Sequence, residues 1–155
     1  MYEQKFMDEA IRVSIANIKS GGGPFGAVVV KNGEIISAEG NSVTITNDPT
    51  AHAEVNAIRT ACRRLGTFDL EGCEIYASCE PCPMCLSAIY WAHIDRIYYA
   101  ATREDTAFIG FDDQMIYDEI PMKQSDRQIP GEQHSRDTAL EAFRYWRNKT
   151  DKTEY

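Results

Sequence analysis

Ser78-Cys79-Glu80-Pro81-Cys82-Pro83-Met84-Cys85 is the stretch from which the rest of the chain can be ordered. Cys82 and Cys85 stand three apart, where a helix should begin. Pro83 fits only the first turn of such a helix, where its missing N–H costs nothing. Residues i and i+3 share one helix face, so both thiols are expected to point at one spot. A helix N-terminus favours negative charge and lowers a thiol's pKa. The stretch therefore reads as a pair of thiolate ligands.

A pair of ligands needs partners, and Pro49-Thr50-Ala51-His52-Ala53-Glu54 lies upstream. A His two residues before a Glu, followed by Pro-Cys-x-x-Cys, is the signature of zinc nucleobase deaminases. Three protein ligands, His52, Cys82 and Cys85, leave one tetrahedral position open for water, as a catalytic zinc requires. Residues two apart do not face the same way on a helix. His52 and Glu54 are therefore not expected to share the metal, and Glu54 is read as the proton carrier for its water.

Duller readings compete. A Cys-x-x-Cys pair also suits a redox centre or half of a structural zinc site. Cys79 extends the pattern to Cys-x-x-Cys-x-x-Cys, which with His52 could close a structural Cys₃His site or begin an iron–sulfur cluster. A cluster wants a fourth cysteine, and Cys62 and Cys73 are poorly spaced for that. Cys79 comes just before Pro81, so it is expected to be extended and aimed elsewhere. The combined signature favours the catalytic zinc.

At 155 residues, 43% hydrophobic and 26% charged, the chain is expected to form one domain, residues 1–155, that needs no staple. Its start lacks the apolar core of a signal peptide. No apolar run approaches membrane-spanning length. The five cysteines then argue for thiols rather than disulfides. A cytoplasmic location without membrane contact is the expectation. The net charge of −8 would repel a polyanion, and Arg63-Arg64 is the longest basic pair before the mixed tail. No nucleic-acid partner is expected; a small-molecule substrate is.

Residues 3–19 carry Met7, Ile11, Ile15 and Ile18 at helical spacing, ended by Gly21-Gly22-Gly23. Ala27 to Val30 reads as a strand. Asn32-Gly33 is a type I′ hairpin signal, so Glu34 to Ala38 should return antiparallel. Asn41 to Asp48 is loop-like. Pro49-Thr50 opens a helix with Val55, Ile58, Cys62 and Leu65 on its apolar face and Gly66 as its stop. Cys73 to Ser78 is a third strand, Pro81 to Trp91 the cysteine helix, and Arg96 to Ala101 a fourth strand. Asp112 to Glu119 reads as helical, and Gln124 to Ser135 as holding a short fifth strand. Thr138 to Asn148 is a helix by Leu140, Phe143 and Trp146, followed by a polar tail. This order implies a mixed sheet with helices on both faces. Both ligand segments fall at strand-to-helix junctions, where open α/β sheets place their sites.

Other residues are weaker candidates. Phe25, beside glycines at the mouth of a strand, is either a core ring or one that stacks on a flat base. Asn41 marks a turn or presents a donor and an acceptor to a heterocycle. Met84 and Trp91 read as core, and His93 and His134 as surface histidines.

The chain resembles the cytidine deaminase-like superfamily, and within it the small bacterial guanine deaminases. Residues 22–28 (Gly-Gly-Pro-Phe-Gly-Ala-Val), 47–55 (Asn-Asp-Pro-Thr-Ala-His-Ala-Glu-Val) and 78–85 carry the likeness. So do Gly-Phe-Asp-Asp (110–113) and the terminal Glu-Tyr (154–155). The last two point to guanine. The resemblance implies a three-layer α/β/α fold with a five-stranded mixed sheet and one zinc ion per subunit. It implies a homodimer that exchanges a C-terminal segment, about residues 138–155. Glu54 would be catalytic. Asp113 and Tyr155 would reach into the partner's pocket to bind or protonate the base, while Phe25, Asn41 and Trp91 line the purine site and Ala53 offers backbone contacts. By composition alone, the tail reads as disordered.

Overall fold

Alternating burial along one strand builds the core. In β1 (Gly26–Lys31) Ala27 and Val29 point into one cluster, and Val28 and Val30 into another. Side chains alternate faces along a strand, so each cluster needs its own helical cover. The computed structural model describes residues 1–155. It supplies α1 (Gln4–Lys19) on the Val28 face and α3 (Ala53–Leu65) on the Val29 face. The three layers expected from the sequence are present in residues 1–113.

The sheet has the order β2-β1-β3-β4, with β2 at Glu34–Gly40, β3 at Cys73–Cys79 and β4 at Arg96–Ala101. β1 runs antiparallel to β2 and β3, and β3 runs parallel to β4. The Asn32-Gly33 hairpin forms as expected, with φ of 52° and 77° at its two corner residues. Two further helices lie between strands: α2 (Val43–Thr46), in a stretch expected to be loop, and α4 (Pro83–Trp91). α5 (Arg103–Phe108) follows β4, opened by a reciprocal cap between Thr102 and Asp105.

Four strands, not five, make the sheet. The stretch expected to give the fifth, Gln124 to Ser135, holds only a 3₁₀ turn at Gln124–Asp126. Pro130 there has no N–H for a ladder. The Arg127 guanidinium bonds the carbonyls of Glu119, Ile120 and Met122 at 2.9–3.1 Å, and Gly131 N–H donates to Gln124 O. Those bonds fold the segment back on itself.

The face of α1 also differs from expectation. Ile11, Ile15 and Ile18 are exposed; the buried stripe is Phe6, Met7, Ala10 and Ser14. Small residues let the helix axis lie close to the sheet. A Cβ at Gly26 would collide with Ala10 O and Ser14 N. Likewise α3 turns Ala53, Ala57 and Ala61 fully inward, with Ile58, Cys62 and Leu65 only part-buried at its flank.

The chain divides into two compact units, Met1–Asp113 and Gln114–Tyr155. The second holds α6 (Gln114–Glu119), the 3₁₀ turn and α7 (Arg136–Asn148), in none of which is a residue fully buried. No helix is long and apolar enough to cross a membrane.

Candidate metal centre

His52 and Cys82 are the residues immediately before α3 and α4, each in extended conformation, with ψ of 157° and 168°. Neither side chain caps its own helix, so both are left to point elsewhere. Local chemistry sets the approach to His52. Asp48 accepts from Thr50 N–H and Oγ1–H at 2.8 and 2.7 Å, a side-chain turn. Asn56 Nδ2 reaches back from α3 to Gly40 O, Ser42 Oγ and Ala51 O. On the other side Pro83 takes the first position of α4, as its ring requires, and Cys82 O accepts from Leu86 N–H.

The result is a three-donor cluster. His52 Nδ1 stands 3.5 Å from Cys82 Sγ and 3.5 Å from Cys85 Sγ, and all three donor atoms lie within 4.8 Å of one another. Zinc bonds of about 2.0 Å to nitrogen and about 2.3 Å to sulfur, at a tetrahedral angle, separate N and S by about 3.5 Å. The residues fit a zinc ion with one position left over.

The electrostatics agree. The hydrogen bond from Cys85, and then His52, pull the Cys82 thiol down to about 4. The same bond and burial push Cys85 up. The bond with Cys82 raises His52. Glu54, in the first turn of α3, is only 8% exposed, and its burial raises its pKa. A buried carboxyl group poised to hold a proton beside the cluster suits a proton carrier.

Cys79 stands apart. Its Sγ faces Thr102 O at 3.6 Å, burial pushes its thiol up to about 11, and it is not one of the three gathered donors. The closed Cys₃His arrangement is not what the geometry shows.

The expected base-binding residues divide. Asn41 is buried, its Oδ1 accepting from Val43 N–H at 3.2 Å, and its own N–H donates to Phe25 O at 3.1 Å. Phe25 is part-buried, its ring edge-on to Phe111 at 5.1 Å between centroids. Ala53 opens α3, where a helix leaves its first N–H groups without a partner inside it. Trp91 is not brought in: it closes the far end of α4, roughly 14 Å along the axis from Cys82, and is 65% exposed. It is not the core residue that its type suggested. Asp113 lies in the first unit with the three donors of its own chain, 4.0 Å from Arg103, and near enough to Cys82 to feel its charge. Burial raises its pKa, against the pull of Arg103. Tyr155 ends the second unit and is exposed.

Three residues went unread in the sequence: Arg103, Phe111 as the ring beside Phe25, and Asn17. Asn17 Nδ2 donates to both Gly23 O and Asn41 O at 2.7 Å. Only Phe111 had a signal, inside Gly-Phe-Asp-Asp.

Comparison with known proteins agrees with this geometry. Residues 1–101 match the family model for the cytidine and deoxycytidylate deaminase zinc-binding region. The guanine deaminase of Bacillus subtilis is 49% identical over 156 aligned positions, covering 100% of each chain. Its crystal structure superposes with a TM-score of 0.96, over 100% of this chain and 99% of that one. A guanine deaminase structure from Nitrosomonas europaea is 34% identical, with a TM-score of 0.70 over 72% of this chain and 65% of that one. A tRNA-specific adenosine deaminase of Aquifex aeolicus is 46% identical over 65% of this chain and 67% of its own. With two donors at helix N-cap positions, a third cysteine one turn on and a buried Glu beside them, the chain belongs to the cytidine and deoxycytidylate deaminase zinc-binding family.

Proposed function

We propose that this protein is a zinc-dependent aminohydrolase that converts guanine and water to xanthine and ammonia. One observation carries the choice of base. The Bacillus subtilis guanine deaminase is similar from end to end, through residues 114–155, whereas the Aquifex aeolicus tRNA-specific enzyme matches 65% of the chain. The net charge of −8 also disfavours an RNA substrate.

His52, Cys82 and Cys85 would hold the zinc. Bound there, zinc supplies Lewis acidity and lowers the pKa of a coordinated water to about 7. Glu54, the buried carboxyl beside these donors, would carry one proton from the attacking water to a purine ring nitrogen and the second to the amino group at C2 as water's oxygen takes that carbon. The C2–N bond then breaks and ammonia leaves. Asp113 offers a second proton path, with Arg103 holding its carboxylate. Phe25 packs on the base, Asn41 donates to it from its amide, and Ala53 contributes its backbone N–H.

The working unit in this proposal is a homodimer that exchanges its C-terminal segment, about residues 138–155. The exposed Phe143, Tyr145 and Trp146 of α7 support it, since bare aromatic surface of this kind is what subunit contacts cover. In that arrangement the partner's Tyr155 closes the pocket, and the exposed ring of Trp91 serves across the subunit boundary. A cytoplasmic setting, where thiolate ligands stay reduced, completes the proposal.

The test is incubation of purified protein with guanine, following xanthine, ammonia and bound zinc together. One zinc per subunit with xanthine and ammonia in equal amounts is expected. Zinc-loaded protein that leaves guanine intact, yet releases ammonia from guanosine, cytosine, cytidine or an aminotriazine, overturns the choice of base.

A further inference from the structure

The polar end of α1 offers an inference about what holds the base-binding wall in place. Phe6, Met7, Ala10 and Ser14 face the sheet, and Asn17 extends that stripe by one more turn. Its amide has two N–H bonds to give, and both are spent: Gly23 O and Asn41 O each lie 2.7 Å from Nδ2. Turning the amide over would set an oxygen against two carbonyl oxygens, so those partners fix its orientation. Its backbone joins in, with Asn17 O accepting from Gly22 N–H at 2.9 Å.

The surrounding glycines make room for this contact. A Cβ at Gly22 would strike Asn17 Nδ2 and Asn41 O, and one at Gly40 would strike Asn17 Cγ. Of Gly21-Gly22-Gly23 only Gly21 takes a positive φ, 87°. Gly22 therefore serves packing against Asn17 rather than the turn itself. Asn41 N–H closes the loop by donating to Phe25 O. One amide thus ties the 22–25 segment to Asn41.

We infer that Asn17 is the positioning residue of the base-binding wall, clamping Asn41 and the Gly23-Pro24-Phe25 segment in one arrangement without touching the base. The inference rests on the proposed assignment of Asn41 and Phe25 to guanine.

Asn17→Asp tests it, because the shape is kept while both donors become an oxygen. Asn17→Ala is the second variant, losing the donors without adding charge. Zinc-loaded protein is compared with wild type in amide hydrogen exchange, in calorimetric binding of xanthine, and in KM and kcat for guanine. In either variant that folds, exchange at Asn41 and Val43 should rise about tenfold or more, with Ile75 in β3 unchanged. KM for guanine and the xanthine dissociation constant should rise about tenfold, with kcat within about threefold and zinc content unchanged. Wild-type KM and xanthine binding in both variants overturn the inference, even if their melting temperatures fall, since Asn17 would then only pack. Unchanged exchange at Asn41 overturns it too. Failure of wild type to act on guanine sinks the proposed substrate instead; loosened exchange at Asn41 would still support the clamp.

Discussion

His52 and Cys82 occupy the same position in two helices: each is the residue before the first turn, and their donor atoms meet at 3.5 Å. Two helix N-termini therefore converge on one point. Each contributes a partial positive charge, and together they stabilise anions placed between them. That field suits thiolates, and Cys82 is pulled down to about 4 mainly by its bond from Cys85 and by His52. The third donor, Cys85, is fully buried in the first turn of α4. Backbone conformation, more than side-chain flexibility, builds the cluster.

Removing a donor should remove the metal. Cys85→Ser and His52→Ala are expected to retain less than about a tenth of the wild-type zinc when dialysed against a chelator. Wild type stripped by the same chelator should lose activity, and added zinc should restore it. Metal analysis beside an ammonia assay checks both; a His52→Ala protein that holds zinc at wild-type affinity contradicts the ligand set.

Glu54→Gln should separate binding from chemistry. The amide fills the same buried volume but cannot carry the proton. Zinc content should stay at the wild-type level while kcat falls by about 10²–10⁴-fold. Turnover near wild type in single-turnover measurements would remove Glu54 from the reaction.

Cys79→Ser should leave the centre alone. Its thiol faces the Thr102 carbonyl rather than His52. A serine hydroxyl can donate to the same carbonyl, so a stability loss of about 1 kcal/mol is expected, with zinc unchanged and activity within about threefold. Loss of zinc in this variant would restore the closed four-ligand site.

Gly26→Ala should be costly for a reason unrelated to chemistry. The added methyl meets backbone atoms of α1, Ala10 O and Ser14 N, which cannot rotate away. Overpacking of this kind costs about 1–3 kcal/mol. Thermal unfolding measures it; an unchanged melting temperature would show that α1 does not lie that close to β1.

What could be read from the chain was local. Asn32-Gly33 needed only its own turn preference, and Pro83 with Cys82 and Cys85 needed only one helical turn. The signature joining His52 to the cysteines carried a long-range contact that periodicity alone could not supply. Misreadings arose where tertiary packing overrode pattern. The Ile11, Ile15 and Ile18 stripe of α1 is a good amphipathic face, yet the smaller stripe through Ala10 and Ser14 was buried because it allows closer approach to Gly26. The expected fifth strand failed where Pro130 lacks a ladder N–H and the segment bonds locally, Arg127 to the carbonyls of Glu119, Ile120 and Met122 and Gly131 N–H to Gln124 O. Asn17 was invisible for a different reason: its two acceptors lie 6 and 24 residues away. Arg103 and Asp113 meet only once α5 and the turn after it are folded.

Zinc K-edge X-ray absorption of the purified protein decides whether the centre is built for hydrolysis. Two sulfurs at about 2.3 Å with two nitrogen or oxygen neighbours at about 2.0 Å are expected, one of the latter being exchangeable water. Three sulfurs around the zinc, or protein without zinc that still deaminates guanine, would contradict a catalytic ion held by His52, Cys82 and Cys85.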